Sequence, residues 1–377
     1  MTTLSRRRTL ILPFGLAALT PACAGTGPGT TGMPADPSGR ADPEQLALLR
    51  TLAGMNPRPI EALGAAEARR QPSYADAVKA RAVELANTNP GRVIGSQEDM
   101  ILTTSPTPLQ ARLYRPIVTH NRPLPLIVYF HGGGWVIANI DTYDSSARAL
   151  CRLSEALVLS VHYRQGPEFR FPTAHDDANV AYVWAVRNAT TIGADPNRIA
   201  IAGESAGGNL AINTAIYAHA TRLPAPRAVA AIYPVGGVNL NTPSYEQFAA
   251  AKPLNRAMIE WFVRNYTRGP QDLQDPRLDL IGKANVAGLP PVTLVNAEID
   301  PLQSDGTLLA DKLRAANVPV KHMVYPGVTH EFFGADAVLT KARQAQEFVG
   351  AELRGAFEAP VPAPQPQGRR PVRRQGA

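Results

Sequence analysis

Short, unbroken apolar runs alternate with segments of helical spacing along most of the chain, and this rhythm begins near residue 92. Runs rich in Val, Ile, Leu and aromatic residues predict strands at 92–103, 109–115, 124–130, 156–162, 198–202, 228–233, 292–298 and 320–325. Between them the spacing predicts helices at 141–155, 174–188, 206–220, 304–317 and 336–357. Such alternation predicts an α/β fold, a mostly parallel eight-stranded sheet covered by helices on both faces. Two stretches break the rhythm. Residues 42–91 carry three helical patterns, 43–52, 59–70 and 74–85, with Asp42-Pro43 supplying an N-cap and a first-turn proline. Residues 236–289 hold one helical pattern, 255–266, among Pro- and Asn-rich loops. Neither fits a βαβ unit, so both are expected to form a helical cap over a 92–357 main domain.

The ends differ from the middle. Arg6, Arg7 and Arg8, an apolar run of about a dozen residues and a small-residue end predict an export signal over 1–24, too short for a membrane span. Ser5-Arg6-Arg7-Arg8-Thr9-Leu10 resembles a twin-arginine signal. Thr20-Pro21-Ala22-Cys23 resembles a lipoprotein box, leaving two outcomes: lipidation of Cys23, or simple cleavage. A periplasmic or envelope-anchored protein is expected. Residues 25–41 predict a flexible linker and 358–377 a disordered Pro/Arg-rich tail. The formal charge of +7 sits in these ends, because removing Arg6–Arg8, Arg369, Arg370, Arg373 and Arg374 leaves 31 basic against 31 acidic residues. A near-neutral folded part argues against nucleic acid as a partner. Two cysteines, one in the signal, predict no disulfide framework; Cys151 is expected as a small buried residue.

The chemistry centres on Arg198 to Leu210, where an apolar strand meets Gly203-Glu204-Ser205-Ala206-Gly207-Gly208 and a helix follows. Gly-x-Ser-x-Gly on a sharp strand-to-helix turn presents a serine hydroxyl outward. That hydroxyl needs a base, and three histidines follow it. His219 lies on the helix of the serine itself and His322 inside a strand, whereas His330 leaves the last strand on a loop. Asp300, directly after the strand at 292–298, is the expected acid; Glu298 is second, and Asp305 is expected to cap or solvate the next helix. His131-Gly132-Gly133-Gly134-Trp135 ends another strand, and its amides can hold an oxyanion. The expected donors are Gly132, Gly133 and Ala206.

Taken together, HGGGW at 131–135, Asn139 to Asp144, Tyr163-Arg164, Pro167-Glu168, GESAGG, Asp300-Pro301-Leu302 and HisGluPhePheGly from 330 resemble the bacterial hormone-sensitive-lipase-like esterases of the α/β hydrolase fold. The resemblance spans residues 42–357. It implies a serine esterase with no metal or organic cofactor, acting on a small-molecule ester of short to medium acyl chain. Glu204 stands where Asp is commoner, Gln165-Gly166 where Leu-Ala is usual, and Glu331 where Gly is usual. An amidase or lactonase would use the same groups. A non-catalytic binder on this scaffold, as in the plant gibberellin receptors, typically loses the histidine, which this chain keeps.

Overall fold

The computed structural model describes residues 35–86, 93–104, 106–118 and 121–360. The export signal, Cys23 and the Pro/Arg-rich tail lie outside the described residues, save for the tail's first three positions.

Three helices precede the sheet: α1 (Pro43–Gly54), the short α2 (Ala65–Ala68) and α3 (Tyr74–Glu84). Asp42 caps α1 by accepting the Gln45 N–H, and Ser73 and Asp76 close a capping box on α3. The single helix expected over 59–70 is broken. Leu63 and Gly64 take extended ψ values, and the Leu63 carbonyl accepts from Trp261 Nε1 at 3.0 Å instead of continuing the helix.

The sheet contains β1 (Ser96–Leu102), β2 (Leu109–Arg115), β3 (Leu124–Phe130), β4 (Leu157–His162), β5 (Ala194–Glu204), β6 (Val229–Ile232), β7 (Val292–Ile299) and β8 (Val320–Thr329). Their order is β1-β2-β4-β3-β5-β6-β7-β8; β2 pairs antiparallel with both β1 and β4, and every other neighbour from β4 onward is parallel. The intervening helices are α4 (Asp144–Ser154), α5 (Thr173–Asn188), α6 (Ala206–Ala220), α7 (Pro243–Gln247), α8 (Arg256–Tyr266), α9 (Gln303–Ala315) and α10 (Thr340–Glu358).

Alternation along β3 shows how the sheet is covered. Leu126, Val128 and Phe130 join one core with residues of α5 and α6, while Ile127 and Tyr129 join a second with residues of α4 and α10. Cys151 lies in the second core, its thiol pushed up to about 12 by burial. The edge strand β1 is polar and mostly exposed, and Arg112 pairs with its Asp99.

Of the boundaries that differ from expectation, two have a visible local reason. β5 starts at Ala194, four residues early, because Ala194 already pairs with Leu124. α10 starts late, since Asp336 accepts from the Ser145 hydroxyl rather than entering a helix. Within 236–289, α7 accompanies the expected helix, anchored by the Ser244 hydroxyl on the Pro301 carbonyl at 2.5 Å. Residues 35–41 lie against the fold: Asp36 accepts from Ser38 and Ala41, and Arg40 pairs with Glu298. No helix among the described residues is long and apolar enough to cross a membrane.

Candidate active site

Ser205 stands between β5 and α6 at φ 55° and ψ −118°, a conformation an L-residue enters only under constraint. The constraint is visible. Its N–H donates to Ile232 O at 2.9 Å, and its carbonyl accepts from Asn209 and Val235. A Cβ on Gly203 would meet Gly207 O at 2.1 Å, and one on Gly207 would meet Phe130 O at 2.0 Å. Only bare backbone lets strand and helix approach this closely.

The Ser205 hydroxyl donates to His330 Nε2 at 3.0 Å, and His330 Nδ1–H donates to Asp300 Oδ2 at 2.7 Å. All three side chains are buried. The other Asp300 oxygen accepts the Leu302 N–H at 2.9 Å, which fixes the carboxylate in the turn after β7. Burial works against a charged His330, yet the Asp300 charge and hydrogen bond outweigh it and raise its basicity above that of a free imidazole. The expected Ser205, Asp300 and His330 are thus brought together from residues far apart in the chain.

The alternatives are engaged elsewhere. Glu298 pairs with Arg40 and accepts the Gly327 N–H. His322 Nε2 meets Asn296 Oδ1 at 3.0 Å within the sheet, and His219 is exposed on α6. Asp305, expected as a solvated or capping group, is instead buried under the 236–237 turn. It accepts both Gly236 and Gly237 N–H groups, and burial pushes it up to about 7.

The loop after β3 turns at Gly133 (φ 96°), Gly134 (φ 58°) and Trp135 (φ 58°). Tyr163 donates to His131 O at 2.8 Å and stacks on the His131 ring, and His131 Nδ1–H donates to Gly132 O at 2.8 Å. Burial pushes His131 down to about 3, so it supports the loop as a neutral ring. Among the described residues, the N–H groups of Gly132, Gly133 and Ala206 donate to no other protein group. Three free donors beside Ser205 suit an anion that forms transiently there.

Two cavities meet at Ser205. The smaller, about 90 Å³, is walled by apolar side chains including Trp135, Ile259, Phe262, Val263 and Leu278. The larger, about 240 Å³, is lined by His330 and Glu331 and by residues of both irregular stretches, among them Arg58, Glu61 and Lys252. Those stretches touch each other, since Trp261 donates to Leu63 and Asn255 to Glu61.

Two buried groups lie inside the quoted motifs without a role assigned to them from sequence. Glu204 accepts from the Tyr129 and Tyr233 hydroxyls, and burial pushes it up to about 7. Tyr143, just before α4, donates to Glu331 Oε1 at 2.6 Å and lies against Gly132. Only the Glu-for-Asp and Glu-for-Gly departures hinted at this region. Among the described residues no group of three or more His, Cys, Asp or Glu side chains is spaced to hold a metal ion.

Comparison with known proteins agrees with this geometry. Residues 127–334 match the family described as alpha/beta hydrolase fold. An ethyl acetate hydrolase of Pseudomonas putida is 35% identical over 289 residues, covering 75% of this chain and 88% of that protein. The carboxylesterase NlhH of Mycobacterium tuberculosis is 37% identical over 260 residues, 67% of this chain and 80% of that one. Among solved structures, a thermostable esterase from Pseudomonas putida has a TM-score of 0.77 at 28% identity, covering 85% of this chain and 99% of that one. A hyperthermophilic esterase from Pyrobaculum calidifontis has a TM-score of 0.72 at 32% identity, covering 82% and 97%. By the extent of these matches, the chain belongs to the alpha/beta hydrolase fold family, among its hormone-sensitive-lipase-like esterases.

Proposed function

We propose that the protein is a serine carboxylesterase that cleaves short- to medium-chain esters of small molecules through an acyl-enzyme. The observation that carries this is the continuous hydrogen-bonded line from the Ser205 hydroxyl through His330 to Asp300, at 3.0 and 2.7 Å. Ser205 attacks the ester carbon while His330 Nε2 takes its proton. Asp300 holds the tautomer and faces the imidazolium. The carbonyl oxygen, now an anion, accepts from the Gly132, Gly133 and Ala206 amides. His330 then returns the proton to the departing alcohol, and a water activated by the same imidazole releases the acid. Relatives named as hydrolases of esters support this bond type over amide or lactone.

Ser205→Ala should cut turnover of p-nitrophenyl butyrate by about 10⁶-fold, the scale seen when a serine protease loses its nucleophile. Asp300→Asn should cost about 10⁴ through the wrong tautomer. A fluorophosphonate probe should label the wild-type serine and not the Ala variant. Unimpaired turnover by Ser205→Ala removes this reading, and an unlabelled wild type turns it toward a binding protein.

A further inference from the structure

Glu331 follows His330 and takes φ 71°, the left-handed region in which a residue with a side chain is strained by about 1–2 kcal/mol relative to glycine. A strained conformation at a site is a pointer to function. Its carboxyl oxygen accepts from the Tyr143 hydroxyl at 2.6 Å. That hydroxyl in turn fills the space beside Gly132, where an added Cβ would stand 2.2 Å from it. One carboxylate therefore ties the histidine loop to the glycine loop.

Resting on the serine-esterase reading, we propose that Glu331 is a positioning residue: its carboxylate seats the Gly132 loop through Tyr143 and faces the His330 imidazolium formed in turnover. The groups around it favour this role. Asp300 at the end of β7 and Glu204 at the end of β5 are the other nearby acids. Tyr74 from α3, Tyr129 from β3, Tyr163 after β4 and Tyr233 after β6 surround them as neutral phenols, all held above the usual tyrosine range by burial. A further cavity outside Glu331 is lined by Lys79, Arg112 and Arg148, but these are paired with Asp76, Asp141 and Asp144. The positive charge that bears on Glu331 most directly is that of His330; Arg58 and Arg69, which line the larger cavity with Lys252, are paired with Glu67 and Glu168. Burial, with the Asp300 charge adding to it, holds this carboxyl above the usual carboxylate range, while His330 and the Tyr143 bond pull it back toward its charged form.

The test is the pH profile of kcat/KM on p-nitrophenyl butyrate from pH 5 to 9. Glu331→Gln keeps an acceptor for Tyr143 and removes the charge. His330 then protonates less readily, so the acid limb should move down by about one pH unit. The plateau kcat should fall about three- to tenfold, because the weaker base takes the serine proton less well. Glu331→Gly should shift the limb equally and relieves the φ strain, so it carries the test if the Gln variant misfolds. Tyr143→Phe retains the charge: its limb should stay in place while kcat falls with KM unchanged. General damage to the fold would lower activity at every pH without moving the limb. An acid limb unmoved in both 331 variants overturns the proposal, as does a Tyr143→Phe limb shifted as far as that of Glu331→Gln. Ser205→Ala measured alongside separates the readings. If it is dead while the limb stands still, Glu331 alone loses its role; if it is active, both readings fall.

Discussion

Glu204 is a carboxyl whose two oxygens accept from the Tyr129 and Tyr233 hydroxyls with Ser146 beside them, and burial raises it to about 7 from an ordinary 4.5. The sign follows from proton counting. Between pH 4.5 and 7 the unfolded chain releases this proton and the folded chain keeps it, so the group's contribution to stability falls as pH rises through that window. A shift of this size corresponds to about 3 kcal/mol. Glu204→Gln does not titrate, so its stability relative to wild type should rise by about that amount from pH 4.5 to 7, whatever its fixed offset. Urea midpoints at four pH values in this range measure it, and parallel lines for the two proteins would refute it. Buried histidines titrate the other way in the same range, His131 to about 3 and His175 to about 4, which is why the difference and not the wild-type slope is informative. Ser205, Asp300 and His330 were legible because each sits just past a strand with a residue-type motif around it. Glu204 and Asp305 were not, because packing by elements distant in sequence makes them unusual.

At the scale of elements, the turn from β5 to α6 depends on two residues without side chains. A Cβ at 207 would stand 2.0 Å from Phe130 O and 2.5 Å from His131 O, both backbone atoms that cannot rotate away. Gly207→Ala should therefore cost at or beyond the upper end of the ~1–3 kcal/mol typical of overpacking, by moving α6 off the sheet. Thermal unfolding would show the loss, together with activity lower than the remaining folded fraction explains. Wild-type stability and rate in the Gly207→Ala protein would mean that helix and strand need not touch. This junction was readable in advance: an apolar run, a glycine pair flanking a serine and an alanine-rich helix are all local signals. The broken helix at 60–68 was not. Its interruption depends on Trp261 claiming the Leu63 carbonyl from almost two hundred residues away. Helix α7 was likewise hidden in a short Pro-led segment whose anchor, Pro301, lies after β7.

For the whole molecule, β3, β5, β7 and β8 run parallel, so the loops that follow them open on one rim of the sheet and bring glycines, serine, acid and base together. That arrangement also decides which side of the ester goes where. The leaving alcohol must receive its proton from His330, and His330 lines the 240 Å³ cavity and not the 90 Å³ chamber. The acyl chain is accordingly expected in the apolar chamber beside Trp135. At the ~30 Å³ that a water-sized group takes up, 90 Å³ holds about three such groups. Each methylene buried there contributes about 0.8 kcal/mol, close to fourfold in kcat/KM. Along p-nitrophenyl esters from acetate to laurate, kcat/KM should climb by up to about that factor per methylene, level near butanoate to hexanoate, and then decline. Val263→Phe narrows the chamber from a partly exposed position on α8. It should leave acetate within about twofold and lower butanoate by more than about tenfold, the loss of roughly two buried methylenes. A wild-type series still rising at laurate, or a Val263→Phe penalty as large for acetate as for butanoate, would show that the acyl chain lies in the other cavity.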